Sequence, residues 1–292
     1  MIEFLEKEHI FYRTDVPIST MTTFRIGGPA GLVIYPENEK QAAGLIRQLV
    51  KEKKKYMIVG NGSNLLFDDA AFHTPIIKTD RLLRQEKDGD RFIFGAGVKL
   101  AAAAGFAADH GYTGMEFAQG IPGSIGGAVY MNAGAYDGTF GNIVVKTKYI
   151  DATGKICETT QHDFSYRHTV FMDTDCLILE TTVHLLPGDP REIRAKMEDF
   201  AERRRSKQPL NYPSAGSFFK RPSGAFAGQL IEQCGLKGKQ IGGAAISEKH
   251  AGFIINKDHA SFKDVITLAE SVQKIVKEQT GFTLECEVKI IR

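Results

Sequence analysis

Three glycine-rich segments between Gly60 and Gly127, each after or near a short apolar run, constrain this chain more than anything else in its sequence. Tyr56-Met57-Ile58-Val59 runs into Gly60-Asn61-Gly62-Ser63-Asn64, Arg91-Phe92-Ile93-Phe94 leads into Gly95-Ala96-Gly97, and Gly120-Ile121-Pro122-Gly123-Ser124-Ile125-Gly126-Gly127 follows. Glycine lacks a Cβ and enters positive φ without penalty, so such loops let backbone N–H groups come close to an anion. A nucleotide pyrophosphate is the usual guest. Any one loop reads equally well as a tight turn; together they read as a cradle. Neither G-x-G-x-x-G opening a helix nor G-x-x-x-x-G-K-[ST] is present, which excludes a Rossmann fingerprint and a P-loop.

The segments around the loops alternate between helix and strand patterns. Asn38 to Lys55 carries Ala42, Leu45, Ile46 and Leu49 on one face and lysines near its end, as an amphipathic helix should. Alanine-rich Leu100 to His110 reads as a helix stopped by Gly111. Ile143 to Ile150 and Lys155 to Thr160 form a hairpin around Asp151-Ala152-Thr153-Gly154, and Leu177 to Leu186 is a further strand. Pro187-Gly188-Asp189-Pro190 breaks it, which places a domain boundary between residues 1–188 and 189–292. Beyond it a helix starting near Arg191 buries Ile193, Met197 and Phe200, and a polar stretch runs from Ser206 to Gly224. Ser261 to Asp264 resembles a capping box before an apolar stripe of Val265, Leu268, Ala269, Val272 and Val276, ended by Gly281. In the closing strand Leu284, Cys286, Val288 and Ile290 share one face, and Glu285, Glu287 and Lys289 the other.

Charge and composition narrow the function classes. With 37 basic and 35 acidic side chains in 292 residues the net charge is +2, so nothing calls for a nucleic-acid or anionic-membrane partner. The longest nearly apolar stretch, Val98 to Ala108, falls short of the roughly 18 residues a membrane span needs. The acidic, mixed N-terminus lacks the pattern of a secretory signal, which makes a cytoplasmic protein the expectation. Four widely spaced cysteines at 157, 176, 234 and 286, with no C-x-x-C, are expected as reduced thiols, and no metal site is expected.

Several polar residues stand out, each with a plain structural reading beside it. Arg203-Arg204-Arg205 suits a helix end, where cations complement the dipole, while Lys207 lies just beyond in the loop. Ser217, in Ala215-Gly216-Ser217-Phe218-Phe219-Lys220, could be a loop hydroxyl satisfying backbone, and no G-x-S-x-G elbow surrounds it. Glu287, taken alone, is a solvent-facing carboxylate on a strand, and Arg167 in Phe164-Ser165-Tyr166-Arg167-His168 is undecided in isolation.

Read in order, the segments resemble the UDP-N-acetylenolpyruvoylglucosamine reductase family. The likeness rests on Thr23-Phe24-Arg25-Ile26-Gly27-Gly28, Val59 to Leu66, Gly120 to Ala128, Asn132 to Tyr136, Tyr166-Arg167, Pro213 to Lys220, Ala227 to Asn256 and Glu285 to Val288, and runs from Thr20 to the C-terminus. The resemblance implies an α+β chain: an FAD-binding region of the vanillyl-alcohol-oxidase (PCMH) type built of two subdomains, then an α+β substrate-binding domain. It implies that Gly60, Asn61, Gly62, Ser63, Asn64, Gly120, Pro122, Gly123, Ser124, Gly126, Gly127 and Asn132 hold FAD. Relatives in the wider superfamily tether flavin through a histidine in the first loop; Gly60 to Asn64 has none, so non-covalent FAD is expected.

The reaction so implied is reduction of the enolpyruvyl ether of UDP-N-acetylglucosamine to UDP-N-acetylmuramate, for peptidoglycan, with NADPH as donor and hydride delivered from flavin N5. Charge then develops on the carboxylate side of the double bond, so a preorganised cation and acid should face it. By the resemblance Arg167 and Glu287 stabilise that charge, Ser217 gives the proton, and Tyr136, Tyr166, Arg167, Lys207, Lys220 and Arg221 contact substrate. Arg221 stands where some members have asparagine, and the interval from Arg167 to Ser217 suits the shorter family form without the tyrosine-bearing lid loop. Two competing readings are a related flavin-dependent oxidase, which would share the N-terminal half, and a non-catalytic nucleotide-binding module, which would bind no flavin.

Overall fold

The structure, a computed structural model, describes residues 1–136 and 138–292. It divides into two compact units. The first comprises Met1–Thr14, Gly31–Asn61 and His73–Arg203; the second takes Asp15–Ala30, Gly62–Phe72 and Arg204–Arg292. The sequence boundary at 187–190 marks the junction of strand Leu186–Pro187 with helix Pro190–Lys207, and that helix stays with the first unit as far as Arg203. The mixed helix and strand content is the expected α+β composition.

In the first unit, strands Pro29–Tyr35, Ile76–Lys78 and Met57–Val59 run parallel, in that order. Parallel neighbours need a crossover, and helix Glu39–Lys51 lies in the chain between the first and third of them. Asn38 starts this helix, its side chain accepting from the Gln41 amide at 3.0 Å, and Ala42, Leu45, Ile46 and Leu49 are buried. Fully burying a leucine or isoleucine is worth about 1.5–3 kcal/mol, so this stripe fixes the helix to its core. The helix ends at Lys51, short of the expected Lys55, and Lys53 takes a φ of 53°. A second, antiparallel sheet orders Ile156–Thr159, Val144–Ile150, Leu177–His184, Arg91–Gly95 and Gln85–Asp88. The expected hairpin is its edge, turning where the Asp151 carboxylate accepts from the amides of Thr153 and Lys155 at 2.8 and 3.0 Å. Helix Leu100–Asp109 forms as expected, and part of the third glycine segment is helical, Ile125–Tyr130, where a loop was expected.

The second unit builds an antiparallel sheet of Ser214–Ser217, Phe253–Asn256, Ala244–Ile246 and Gln240–Ile241. Helix Phe262–Thr280 contributes Val265, Leu268, Ala269, Val272 and Val276 to this unit's core. Its N-terminus is the expected capping box: Ser261 Oγ accepts from the Asp264 amide at 3.1 Å, and Asp264 Oδ2 accepts from the Ser261 amide at 3.0 Å. The C-terminal strand is shorter than expected. Only Lys289–Ile291 is paired continuously, parallel to Leu65–Phe67, while residues 284–288 meet Phe218 to Lys220 through single bonds.

Candidate active site

Gly60 and Asn61 follow strand Met57–Val59 in the first unit. Asn61 Nδ2 donates to the Pro122 carbonyl at 2.6 Å, which binds the first glycine segment to the third, and its Oδ1 accepts from Lys99 Nζ. A side chain at Gly60 would put its Cβ 2.6 Å from Ser124 Oγ, so glycine is what lets the first and third segments pack this closely. Ser124 is 1% exposed and its hydroxyl has no hydrogen-bond partner among the described residues. A buried hydroxyl without a partner is costly, and a bound oxygen that accepts from it removes the cost. The orphaned hydroxyl beside the glycine loop therefore fits the polar diphosphate and ribityl portions of FAD. Gly62, Ser63 and Asn64, in the second unit, continue the segment. Gly62 has φ 66° and lies against the Met21 carbonyl, a position that excludes any side chain.

Behind the loop stands a residue that the motifs did not single out. Lys78 closes the apolar strand Ile76–Lys78, is 3% exposed, donates from Nζ to the Gly60 carbonyl, and pairs with Asp80 at 3.3 Å. Burial pulls its pKa down, Asp80 opposes that, and Lys99 adds to it. A lone lysine ending an otherwise apolar strand was the available signal.

Arg167 sits half-buried at φ 54°, an unusual conformation for a side chain of its size, in a turn closed by an antiparallel bridge between Ser165 and His168. The turn is clamped from the same unit. Asn132, itself at φ 43° and 8% exposed, donates from Nδ2 to the Ser165 carbonyl at 2.8 Å and accepts at Oδ1 from the Gly141 amide at 2.9 Å. The Asn132 side chain, expected among the cofactor contacts, holds the arginine turn through these two bonds. Tyr166 is exposed, with the Arg167 guanidinium 5.2 Å from its ring centroid. The Tyr136 ring stacks on Phe200 at 4.4 Å and its hydroxyl donates to the Phe200 carbonyl at 3.1 Å.

In the second unit Ser217 is exposed at the end of strand Ser214–Ser217, held by buried Ala215 and Phe218 on either side. The Glu287 amide donates to the Phe218 carbonyl at 2.8 Å, so Glu287 lies on the segment beside Ser217. Asn64 Nδ2 donates to the Glu287 carbonyl at 3.1 Å, and the Lys289 amide to the Asn64 carbonyl at 3.0 Å, which brings the end of the first glycine segment to the same place. Glu287 is half-buried, less open than a lone strand carboxylate was expected to be. Burial pushes the Cys286 thiol up, while Lys220 pulls the other way. Lys220 pairs with Glu285 at 3.3 Å, and the Arg221 guanidinium lies 4.2 Å from the Phe226 ring centroid. Lys207, expected in a loop, is the exposed last residue of helix Pro190–Lys207, with Arg204 and Arg205 in the same basic last turn. The second unit also has a cleft of about 610 Å³ lined by Arg205, Tyr212, Ser247, Lys249 and Lys257, and neither Ser217 nor Glu287 lines it. Among the described residues no cluster of histidine, cysteine or carboxylate side chains could hold a metal ion, and no helix is long and apolar enough to cross a membrane.

Comparison with known proteins bears on both units. Residues 30–160 match the family described as FAD binding domain. A variant of berberine bridge enzyme, described as a reticuline dehydrogenase, aligns with a TM-score of 0.51 at 16% identity over 65% of this chain and 43% of its own, a likeness of fold alone. These matches define the class: a chain with an FAD-binding fold. Residues 208–291 match the C-terminal domain of UDP-N-acetylenolpyruvoylglucosamine reductase. Curated reductases of that name from Caldanaerobacter subterraneus subsp. tengcongensis and Clostridium perfringens are each 43% identical, over 98% and 99% of this chain and 95% of theirs. The crystal structure of the Thermus caldophilus enzyme aligns with a TM-score of 0.82 at 29% identity, over 97% of this chain and 99% of its own. The chain belongs to the UDP-N-acetylenolpyruvoylglucosamine reductase family.

Proposed function

We propose that this protein reduces the enolpyruvyl ether of UDP-N-acetylglucosamine to UDP-N-acetylmuramate in the cytoplasm, with non-covalent FAD and NADPH as donor. The near-full-length likeness to reductases of that name supports the substrate, and the match of residues 30–160 supports the cofactor. Gly60, Asn61 and Ser124 would hold the diphosphate and ribityl portions beside the rest of the Gly120 to Gly127 segment, and Gly62, Ser63 and Asn64 are further proposed cofactor contacts. When bound, FAD supplies the hydride that the double bond receives, itself recharged by NADPH.

The chain's own residues then manage charge and the proton. As the double bond is reduced, negative charge develops toward the substrate carboxylate, and a guanidinium held in advance stabilises it without reorganising. The clamped turn of Arg167 suits that task. Glu287 shares the stabilising role, and Ser217 gives its hydroxyl proton to the carbon next to the carboxylate. A hydroxyl is a weak acid, adequate here only when its geometry is fixed against a carbanion-like centre. The observation that carries this reading is the Glu287 amide donating to the Phe218 carbonyl, which sets the acid segment beside the residue after Ser217, where Phe218 and Val288 join the second unit's core. Tyr136, Tyr166, Lys207, Lys220 and Arg221 are the proposed substrate contacts, the cations among them suited to a diphosphate.

Single-turnover kinetics of Ser217→Ala test it. Flavin reduction by NADPH at the parent rate together with loss of product formation supports the proton-donor role; parent rates of product formation contradict it.

A further inference from the structure

We propose that Lys78 is the buried cation of the diphosphate subsite: its ammonium fixes the Gly60 carbonyl from behind the loop and lends its charge to the phosphates held in front of it. The inference rests on the placement of the diphosphate at the Gly60 loop. Three observations carry it. Lys78 is 3% exposed, far more buried than lysines usually are, and a buried ammonium persists where something of opposite sign offsets its desolvation. Its visible partners are one carboxylate oxygen, Asp80 Oδ1 at 3.3 Å, and one carbonyl, that of Gly60. Finally, two buried hydroxyls beside Gly60, those of Ser124 and Thr79, have no hydrogen-bond partner among the described residues. A Cβ at Gly60 would lie 2.6 Å from the first and 3.8 Å from the second.

The geometry works through the peptide that Lys78 grips. A carbonyl tied down by a cation polarises its own amide group, so the N–H of Asn61 becomes a stronger donor on the opposite side of the same peptide plane. The ammonium adds a charge in a medium of low dielectric, where its field reaches further than it would in water. Lys99, bonded to Asn61 Oδ1, contributes a second cation at the same loop. The ligand chemistry so favoured is a dianionic diphosphate rather than the uncharged part of a flavin.

The test is titration of the full chain, freed of flavin, with FAD and separately with riboflavin, which has no phosphate, following flavin fluorescence. For Lys78→Met, a side chain of similar length, the Kd for FAD is expected to rise about tenfold while that for riboflavin stays at the parent value. Equal loss of both ligands would mean that the residue only shapes the loop, and unchanged FAD binding would mean that its charge is irrelevant; either overturns the proposal. Should Lys78→Met not fold, Asp80→Asn carries the test: removing the offsetting carboxylate is expected to tighten FAD severalfold and leave riboflavin alone, and unchanged or weaker FAD binding contradicts the proposal. Gly60→Ala separates this proposal from the placement beneath it. Loss of FAD in Gly60→Ala with parent affinity in Lys78→Met keeps the placement and rejects the cation, whereas parent affinity in Gly60→Ala rejects both.

Discussion

The side-chain amide of Asn132 donates to the Ser165 carbonyl at 2.8 Å and so ties the core of the first unit to the turn that carries Arg167. The Gly141 amide completes the bracket at the other side of the same group, and Thr169 Oγ1, donating to the Tyr130 carbonyl at 3.1 Å, holds the far end of the turn. Asn132→Asp retains the preference for positive φ and the acceptor for Gly141, but replaces the donor with a second acceptor facing Ser165. It should cost about 1–3 kcal/mol of stability by denaturant titration and lower kcat with little change in the retention of FAD. Arg167→Lys should lower kcat while leaving the melting temperature near that of the parent.

The orphaned Ser124 hydroxyl gives a prediction of two signs. Ser124→Ala removes an unsatisfied polar atom from a buried site, so the flavin-free protein should gain about 1 kcal/mol of stability. The same variant loses a donor to the cofactor, so the rise in melting temperature on adding FAD should shrink. Thermal unfolding with and without FAD reads both.

Helix Phe262–Thr280 should respond to acid through its cap. The Asp264 carboxyl lies below its ordinary value of 3.8, chiefly because it accepts from the Ser261 amide, with partial burial opposing and the Gly243 amide and Ser261 hydroxyl assisting. A folded-state value below the unfolded one means that the contribution is present above the ordinary value and is lost as pH falls through the folded value. Asp264→Ala should be less stable than the parent by about 1 kcal/mol at neutral pH, and the gap should close in acid. Urea midpoints at the two pH values check it.

Gly62→Ala should be the most damaging glycine substitution in the first loop. At φ 66° an added Cβ is strained and also runs into the Met21 carbonyl, which is backbone and has nowhere to go. Loss of soluble folded protein or a sharp drop in melting temperature is expected, where Gly60→Ala leaves the fold intact and affects FAD.

What could be read from the sequence depended on how local its cause was. Glu39–Lys51 and Phe262–Thr280 declared themselves because an apolar stripe and a capping residue lie within one helix, and the hairpin around Asp151 did so through a turn of five residues. Strand Ser214–Ser217 did not, since its four small residues carry no apolar alternation and pair only because Phe253–Asn256 lies alongside. The recruitment of 15–30 and 62–72 into the second unit was equally hidden. It depends on pairings between distant segments, such as Lys289–Ile291 with Leu65–Phe67 and the Thr23 amide with the Gly62 carbonyl, that no window of sequence contains. Among the site residues the glycines were legible by their clustering. Asn132's grip on Ser165 and the burial of Lys78 follow from tertiary contacts and were not.

The central claim is an FAD-dependent reduction of an enolpyruvyl UDP-sugar, and the visible absorption spectrum of the purified protein tests it most directly. Twin flavin bands that bleach on anaerobic addition of NADPH and return only when the enolpyruvyl ether of UDP-N-acetylglucosamine is added are the predicted result. A yellow protein that is reoxidised by air but not by that substrate, or a colourless one that cannot be reconstituted with FAD, would contradict it.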